Sequence, residues 1–330
     1  METVAFGSTG LRVSRFGLGT ATFGGQCDER TSFAILDHAA SLGINFLDTA
    51  DKYPLGSSWE HAGTTEAIVG SWLQGRRDDF VVATKVHGPT GPNPWDRGLS
   101  RRHITQAVDD SLRRLQTDVI DLYQLHRPDP ETPIEETLET LSNLVRMGKV
   151  RYVGCSNYLA YQVARALGKS DLHGYAHFVS VQARYNLLFR EHERELLPLC
   201  REEGLALLVY NLLAGGLLTG KHDPSSRPAR GSRFATTGAS TLYQRRYWDD
   251  RRFAAVDEIQ SVAREFGISL ITLATAWVLD HPAAPLPLLG ATKPTHLDDP
   301  VAGLDVSLPD EVRSKLDEIT TEFRHGDAVQ

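Results

Sequence analysis

Asn45-Phe46-Leu47-Asp48-Thr49-Ala50-Asp51-Lys52-Tyr53 opens as a short apolar strand and closes on a carboxylate and a phenol five residues apart. Ile44, Phe46 and Leu47 supply the buried strand, and the turn after Asp48 throws polar groups out at its carboxyl end. In β/α proteins that end of a strand is where ligands bind. Two later segments are built the same way. Val81-Val82-Ala83-Thr84-Lys85 and Val119-Ile120-Asp121-Leu122-Tyr123-Gln124-Leu125-His126 run mostly apolar and stop at a Lys and a His. Asp48, Tyr53, Lys85 and His126 are therefore each expected at a strand's end.

Outward from this stretch, strands and helices alternate. Strands are predicted at Phe16–Gly19, from near Asn45, Phe80, Val119, Arg151, Phe178 and Leu205, and at Leu286–Leu289. A helix-length segment follows each. Apolar stripes at helical spacing occur at Phe33, Leu36 and Ala40, and at Ile104, Val108, Leu112 and Leu115. Thr132-Pro133-Ile134-Glu135 reads as a capping box with Pro at the first helical position, before Leu138, Leu141 and Val145. Short connections and right-handed crossovers call for a parallel sheet. Eight strands close it into an α/β (β/α)8 TIM barrel, a single domain over residues 1–330. Before it, Val4, Phe6, Leu11 and Val13 flank Gly7-Ser8-Thr9-Gly10 as a hairpin.

Composition narrows the function. A net charge of −7, from 35 basic and 42 acidic residues, argues against nucleic-acid and anionic-membrane binding. No apolar run approaches the ~20 residues of a membrane helix. Met1-Glu2-Thr3-Val4 lacks the pattern of a signal peptide, and Cys27, Cys155 and Cys200 form no CxxC, so a cytoplasmic protein with reduced thiols is expected. Phe16-Gly17-Leu18-Gly19 is no dinucleotide fingerprint, because the next glycine, Gly24, falls too late. The histidines show no zinc-ligand spacing and no GxSxG occurs, so no metal site and no nucleophilic hydrolase are expected.

One connection breaks the rhythm. Residues 212–252 exceed a normal βα loop and, from Lys221 to Arg252, carry eight basic and three acidic residues in an acidic chain. A solvated loop is one reading. A clamp over a polyphosphate cofactor is the preferred one, since the local charge opposes the global one.

The DTAxxY, ATKV and LHRPD segments resemble the catalytic blocks of the aldo-keto reductase superfamily. GLGT, GKVRYVGCSN, VSVQARYN, AGGLLTGK and LLGATK agree in the same order along nearly the whole chain. The likeness is nearest to bacterial members and to potassium-channel β-subunits. It implies that the hairpin plugs the bottom of the barrel. It also implies NADP(H) and a small-molecule carbonyl substrate; a homo-oligomer is compatible with it.

Carbonyl reduction develops an alkoxide that must receive a proton. Tyr53 is expected to donate it, with Lys85 lowering the phenol's pKa and Asp48 holding Lys85 charged. His126 is expected to hydrogen-bond the substrate oxygen. The resemblance implies that Ser156, Asn157 and Gln182 hold the nicotinamide carboxamide and that Tyr210 stacks on its face. Gly19, Thr20 and Ala21 follow from the GLGT block. Backbone N–H groups of a turn at Asn211, Leu212, Leu213, Ala214 and Gly215 would meet the diphosphate, with Lys221 adding charge and Arg233 folding over. Gly290, Thr292, Lys293, His296 and Asp299 fall at the adenine end, with a helix expected from Thr295 and Lys293 favouring NADP(H). His296 stands where the family often has Gln or Arg, and Pro300 where it has Asn.

Two other functions share these residues: a nicotinamide-sensing regulatory subunit with slow turnover, and an alcohol dehydrogenase running in the oxidative direction. Phe23, residues 52–63 and 87–98, and Tyr243 to Trp248 are expected at the pocket rim, with Trp59 and Trp95 as aromatic walls or packing residues.

Overall fold

A β-strand turns successive side chains to opposite faces, so a strand buried on both sides sorts its residues into two sets. In the computed structural model, which describes residues 1–235 and 239–325, this sorting builds the molecule. An antiparallel hairpin, β1 (Thr3–Ala5) with β2 (Arg12–Ser14), precedes eight parallel strands. These are β3 (Gly17–Gly19), β4 (Phe46–Asp48), β5 (Val81–Val86), β6 (Ile120–Leu125), β7 (Val150–Ser156), β8 (Phe178–Arg184), β9 (Ala206–Tyr210) and β10 (Leu286–Gly290). They pair in chain order, and β10 closes the ring on β3 with Leu288 opposite Gly17. Each expected strand start lies within one residue of the observed one. The fold is the (β/α)8 barrel.

The inner set includes Phe46, Ala83, Leu122, Leu208 and Leu288, which share one cluster with Phe6 and Val13 of the hairpin. Phe6 and Phe46 lie 5.7 Å apart, ring centre to ring centre. The hairpin is thus the floor of the barrel. Its turn is fixed by Ser8, whose N–H donates to the Gly204 carbonyl at 2.7 Å. Gly7 must be glycine there: φ is 58°, and a Cβ would stand 2.6 Å from the Gly204 oxygen. The outer set, with Leu47, Val82, Tyr123, Val153 and Val209, packs against the helices.

The helices are α1 (Glu29–Ser41), α2 (Thr64–Trp72), α3 (Arg101–Leu115), α4 (Ile134–Arg146), α5 (Ala160–His173), α6 (Leu196–Glu202), α7 (Ser240–Tyr247), α8 (Asp250–Phe266), α9 (Leu270–Leu279), α10 (Asp298–Ala302) and α11 (Asp310–Thr320). Asp28, Ser100 and Ser269 cap α1, α3 and α9 by accepting backbone N–H groups. The expected capping box at α4 does not form. Pro133 is the N-cap, and the Thr132 hydroxyl donates instead to Asp129 at 2.7 Å. Asp129 also accepts the N–H of Leu99 at 2.8 Å, so it organises the loops above β5 and β6 and outcompetes the helix end for Thr132. No single helix among the described residues is long and apolar enough to cross a membrane.

Within the long connection, residues 223–231 are mostly exposed and the stretch from Ser240 is partly packed; Thr236, Thr237 and Gly238 lie outside the described residues. The connection holds α7 and an aromatic cluster. Phe234 meets Trp248 at 4.9 Å and His222 at 5.0 Å, and Trp248 meets Phe253 at 5.0 Å. Gln26 Nε2 donates to the Gly231 carbonyl at 3.0 Å, tying this segment to the loop after β3.

Candidate active site

Two residues above the floor, on the same inner face, the strands turn polar: Phe46 gives way to Asp48, Ala83 to Lys85, and Leu122 to Gln124. Lys85 is fully buried, and its ammonium donates to Asp48 Oδ2 at 2.5 Å and to the Thr49 carbonyl at 2.8 Å. Asp48 Oδ1 accepts from Gln124 Nε2 and Gln182 Nε2, both at 2.9 Å. The carboxylate is therefore held from three strands. Such charge-assisted bonds are the strong kind, and each one fixes an angle as well as a distance.

Tyr53 and His126 complete the group. Lys85 Nζ lies 5.1 Å from the centre of the Tyr53 ring, and the His126 ring lies 5.7 Å from it, edge on. Tyr53 is half-buried. Burial raises the phenol above its ordinary value; Lys85 pulls it back only in part. Lys85 thus acts in the expected direction, but desolvation of the phenolate outweighs it and the net shift is upward. Burial also pulls the Lys85 ammonium down, but Asp48 and Tyr53 outweigh that, and the net shift is upward. Burial, then Lys85, push His126 well below the ordinary imidazole value. The result is a protonated phenol, a charged amine and a neutral imidazole.

Across the barrel mouth sit the residues expected at a cofactor. Ser156 and Gln182 are buried at the ends of β7 and β8, and Asn157 stands in the left-handed region at φ 61°. Asn157 Nδ2 donates to the His126 carbonyl at 2.9 Å, and the Tyr210 hydroxyl donates to Asn157 Oδ1 at 2.7 Å. Thr20 caps β3 by donating its hydroxyl to the Asp48 carbonyl at 3.0 Å, between Gly19 and Ala21. In the turn after β9, three N–H groups are already engaged. Ala214 donates to Asn211 O at 2.8 Å, Gly215 to Asn211 Oδ1 at 3.2 Å, and Gly216 to Leu213 O at 2.7 Å. Leu212 is buried below that turn.

The basic side chains remain available for an anion. Arg233 lies over the Tyr243 ring at 5.4 Å, and Lys221 and Lys293 are exposed. Burial and then these two lysines hold the His296 imidazole below its ordinary value, which places both near one ring. Thr292 bonds His296 Nδ1 at 3.3 Å. The helix expected from Thr295 begins as a 3-10 turn at Pro294, with Lys293 as N-cap, and continues into α10, where Asp299 accepts from Thr272 at 3.1 Å. Gly290 is open, with no atom within 4 Å of a built Cβ. These residues fit a nicotinamide dinucleotide through side-chain charge and an open strand end.

A cleft of about 380 Å³ opens between the loops after β4 and β5, lined by Trp59, Pro89, Gly91, Pro92, Asn93, Pro94 and Arg97. It is offset from the chemistry, since none of the four central residues lines it. Trp59 lines it, and Trp95 is exposed without lining it. Phe23 is fully buried and is a core residue, whereas Trp248 is half-buried and packs on Phe234.

Gln124 was not among the residues singled out from sequence. A polar residue two positions before His126, in a strand otherwise apolar but for Asp121, was the available signal. Among the described residues, no group of three or more His, Cys, Asp or Glu side chains could hold a metal ion.

Residues 15–321 match the model of the Aldo/keto reductase family. The chain is 38% identical to the uncharacterized oxidoreductase YrpG of Bacillus subtilis, over 97% of this chain and 96% of that one. It is 36% identical to Protein tas of Escherichia coli over 94% of each chain. It is also 35% identical to a probable voltage-gated potassium channel subunit beta of Arabidopsis thaliana, over 93% of this chain and 92% of that one.

Proposed function

The chain belongs to the aldo/keto reductase family, and on that premise we propose that it reduces an aldehyde or ketone to the alcohol with NADPH. Oxidoreductase chemistry on carbonyl groups accompanies the family; the cofactor, the proton donor and the substrate are our own reading. NADPH, when bound, supplies the hydride that no side chain can.

The chain's own residues do the rest. The phenol of Tyr53 carries a proton at neutral pH and delivers it to the carbonyl oxygen as negative charge develops there. Lys85, kept charged by Asp48, stabilises the phenolate left behind. His126, neutral, offers an N–H to the same oxygen and orients it. Solvent then restores the Tyr53 proton. The observation that carries this reading is the fully buried Lys85, 2.5 Å from Asp48 and directly beside Tyr53. Lys221 and Lys293 support the extra phosphate of NADPH over NADH.

Loss of NADPH absorbance across a panel of aldehydes and ketones tests the reading. Steady oxidation with at least one carbonyl is expected, together with weaker NADH binding at low salt and a gap that narrows as salt screens the lysines. No turnover with any carbonyl removes the catalytic reading. Equal or tighter NADH binding removes the cofactor assignment. A nicotinamide-sensing subunit is the second reading, favoured by the likeness to channel β-subunits. It predicts tight NADPH binding with very slow oxidation. Net alcohol oxidation by the same site would appear as NADPH formation.

A further inference from the structure

Behind the wall that carries this site lies a second set of ionisable groups that the reduction does not use. Glu66, on α2, is fully buried and accepts the Thr84 hydroxyl at 2.5 Å. It also accepts Arg114, on α3, through Nε at 2.8 Å and Nη2 at 2.7 Å. Thr84 stands beside Lys85 on β5 but points out of the barrel, since neighbours on a strand face opposite ways. Asp51 and Tyr123 complete the group. Both are fully buried, and neither side chain has a close hydrogen-bond partner among the described residues. The backbone N–H groups of Lys52 and His87 are the ones that approach the Asp51 carboxyl. Asp51 donates its own N–H to the Lys85 carbonyl at 3.0 Å and precedes Tyr53 by two residues.

We propose that Asp51 is a positioning residue for Tyr53: its buried carboxyl, on the same side of the barrel wall as Glu66, Arg114 and Tyr123, fixes the turn that presents the phenol. The inference rests on the reading of Tyr53 as proton donor. It begins from a charge count. Arg114 is the cation of this pocket, and two of its N–H groups are committed to Glu66. A second carboxylate there would be a buried charge without a partner, which a protein avoids by keeping the proton. Burial, then Glu66, accordingly hold the Asp51 carboxyl well above its ordinary range, with Arg114 offsetting part of the shift. Lys52 does not supply the missing charge, because its ammonium turns away to the Ser57 carbonyl at 2.7 Å.

As a neutral acid, Asp51 keeps an oxygen for the N–H groups of Lys52 and His87. Those N–H groups belong to the turns after β4 and after β5, one carrying Tyr53 and the other following Lys85. Asn offers the same oxygen and nearly the same volume without a charge. Ala offers neither.

The test compares wild type, Asp51→Asn, Asp51→Ala and Tyr53→Phe as full chains, by single-turnover NADPH oxidation with one reactive aldehyde. NADPH affinity and KM are measured alongside. Asp51→Ala should slow the chemical step at least ~10-fold, since small misplacements of a reacting group are costly, while NADPH affinity stays nearly unchanged. Asp51→Asn should restore most of that rate. A purely structural role would lower the stability of Asp51→Ala and leave the single-turnover rate of the folded enzyme alone, and that result overturns the proposal. So does an Asp51→Asn variant as slow as Asp51→Ala. Where Asp51→Ala does not fold, infrared spectroscopy decides. A protonated-carboxyl band at neutral pH, lost in Asp51→Asn, supports the proposal, and its absence in wild type overturns it. An unchanged rate in Tyr53→Phe defeats the proton-donor reading itself, a separate outcome from any of these.

Discussion

At the floor of the barrel, Phe6, Val13 and Phe46 pack together in an apolar cluster. Two residues higher on the same inner face, Asp48 and Lys85 meet at 2.5 Å. The two ends share strands, alternation and burial, and they answer opposite demands. The floor gains by removing apolar surface from water, at roughly 25 cal/mol per Å². The mouth holds buried charge, which is expensive unless every partner is in place. The comparison teaches that stability and chemistry are separated here by a single step of the strand's two-residue period, so each can be removed without the other.

The largest expected effect is at the floor. Phe6→Ala should cost about 3–5 kcal/mol, the usual range for emptying a buried aromatic site. Chemical denaturation would measure that, and the folded fraction should keep its kcat. A parallel loss of kcat would show that the floor also shapes the mouth. Next comes Tyr53→Phe, which leaves the ring to pack. Carbonyl reduction should fall at least ~10²-fold with an unchanged melting temperature. A rate within about threefold of wild type would end the claim that the mouth does the chemistry.

A smaller effect sharpens the contrast within the mouth. Gln124→Leu removes one of two amide donors to Asp48 Oδ1 and leaves Gln182 in place. A hydrogen bond to a charged group contributes about 1.5–3 kcal/mol. With the second donor retained, the lower end applies, and kcat should fall roughly 10-fold. An unchanged kcat would mean that Gln182 alone orients the carboxylate.

The last contrast is the acid dependence. His87 and His192, on loops at the mouth, are each held down to about 4, in both cases first by burial. Between that value and the ordinary 6.5 the unfolded chain binds more protons, so stability rises with pH. The contribution is whole above 6.5 and is lost as pH falls toward 4. The melting temperature should therefore drop between pH 6.5 and pH 4, and His87→Gln should flatten part of the slope. A flat profile would show that neither ring is held neutral by the fold.

The barrel was legible because strands buried on both faces read as apolar runs wherever the chain is cut. The central residues were legible because each ends such a run. What stayed hidden depended on partners remote in sequence. Thr132 reads as a cap until Asp129 is seen to take its hydroxyl. The turn after β9 reads as a ready set of N–H donors until Asn211 is seen to occupy them. Phe23 reads equally well as pocket wall or core, since an aromatic ring serves both, and it is core. Asp51 sits between two residues that had a role and so drew none, although its neighbours Glu66 and Arg114 come from distant helices.

The plug and the ring closure also set an order of events for a chain leaving the ribosome. Ser8 waits for Gly204, and Gly17 waits for Leu288, before either can make its backbone contact. Contacts this far apart must overcome the entropy of closing long loops before they repay it. Until residue 288 has emerged, β3 and β9 are unpaired strand edges, and the apolar residues at the start of the chain have no finished floor to fill. The ring therefore cannot close before β10 arrives, and the edges of β3 and β9 wait for that strand rather than for the completion of the catalytic ones.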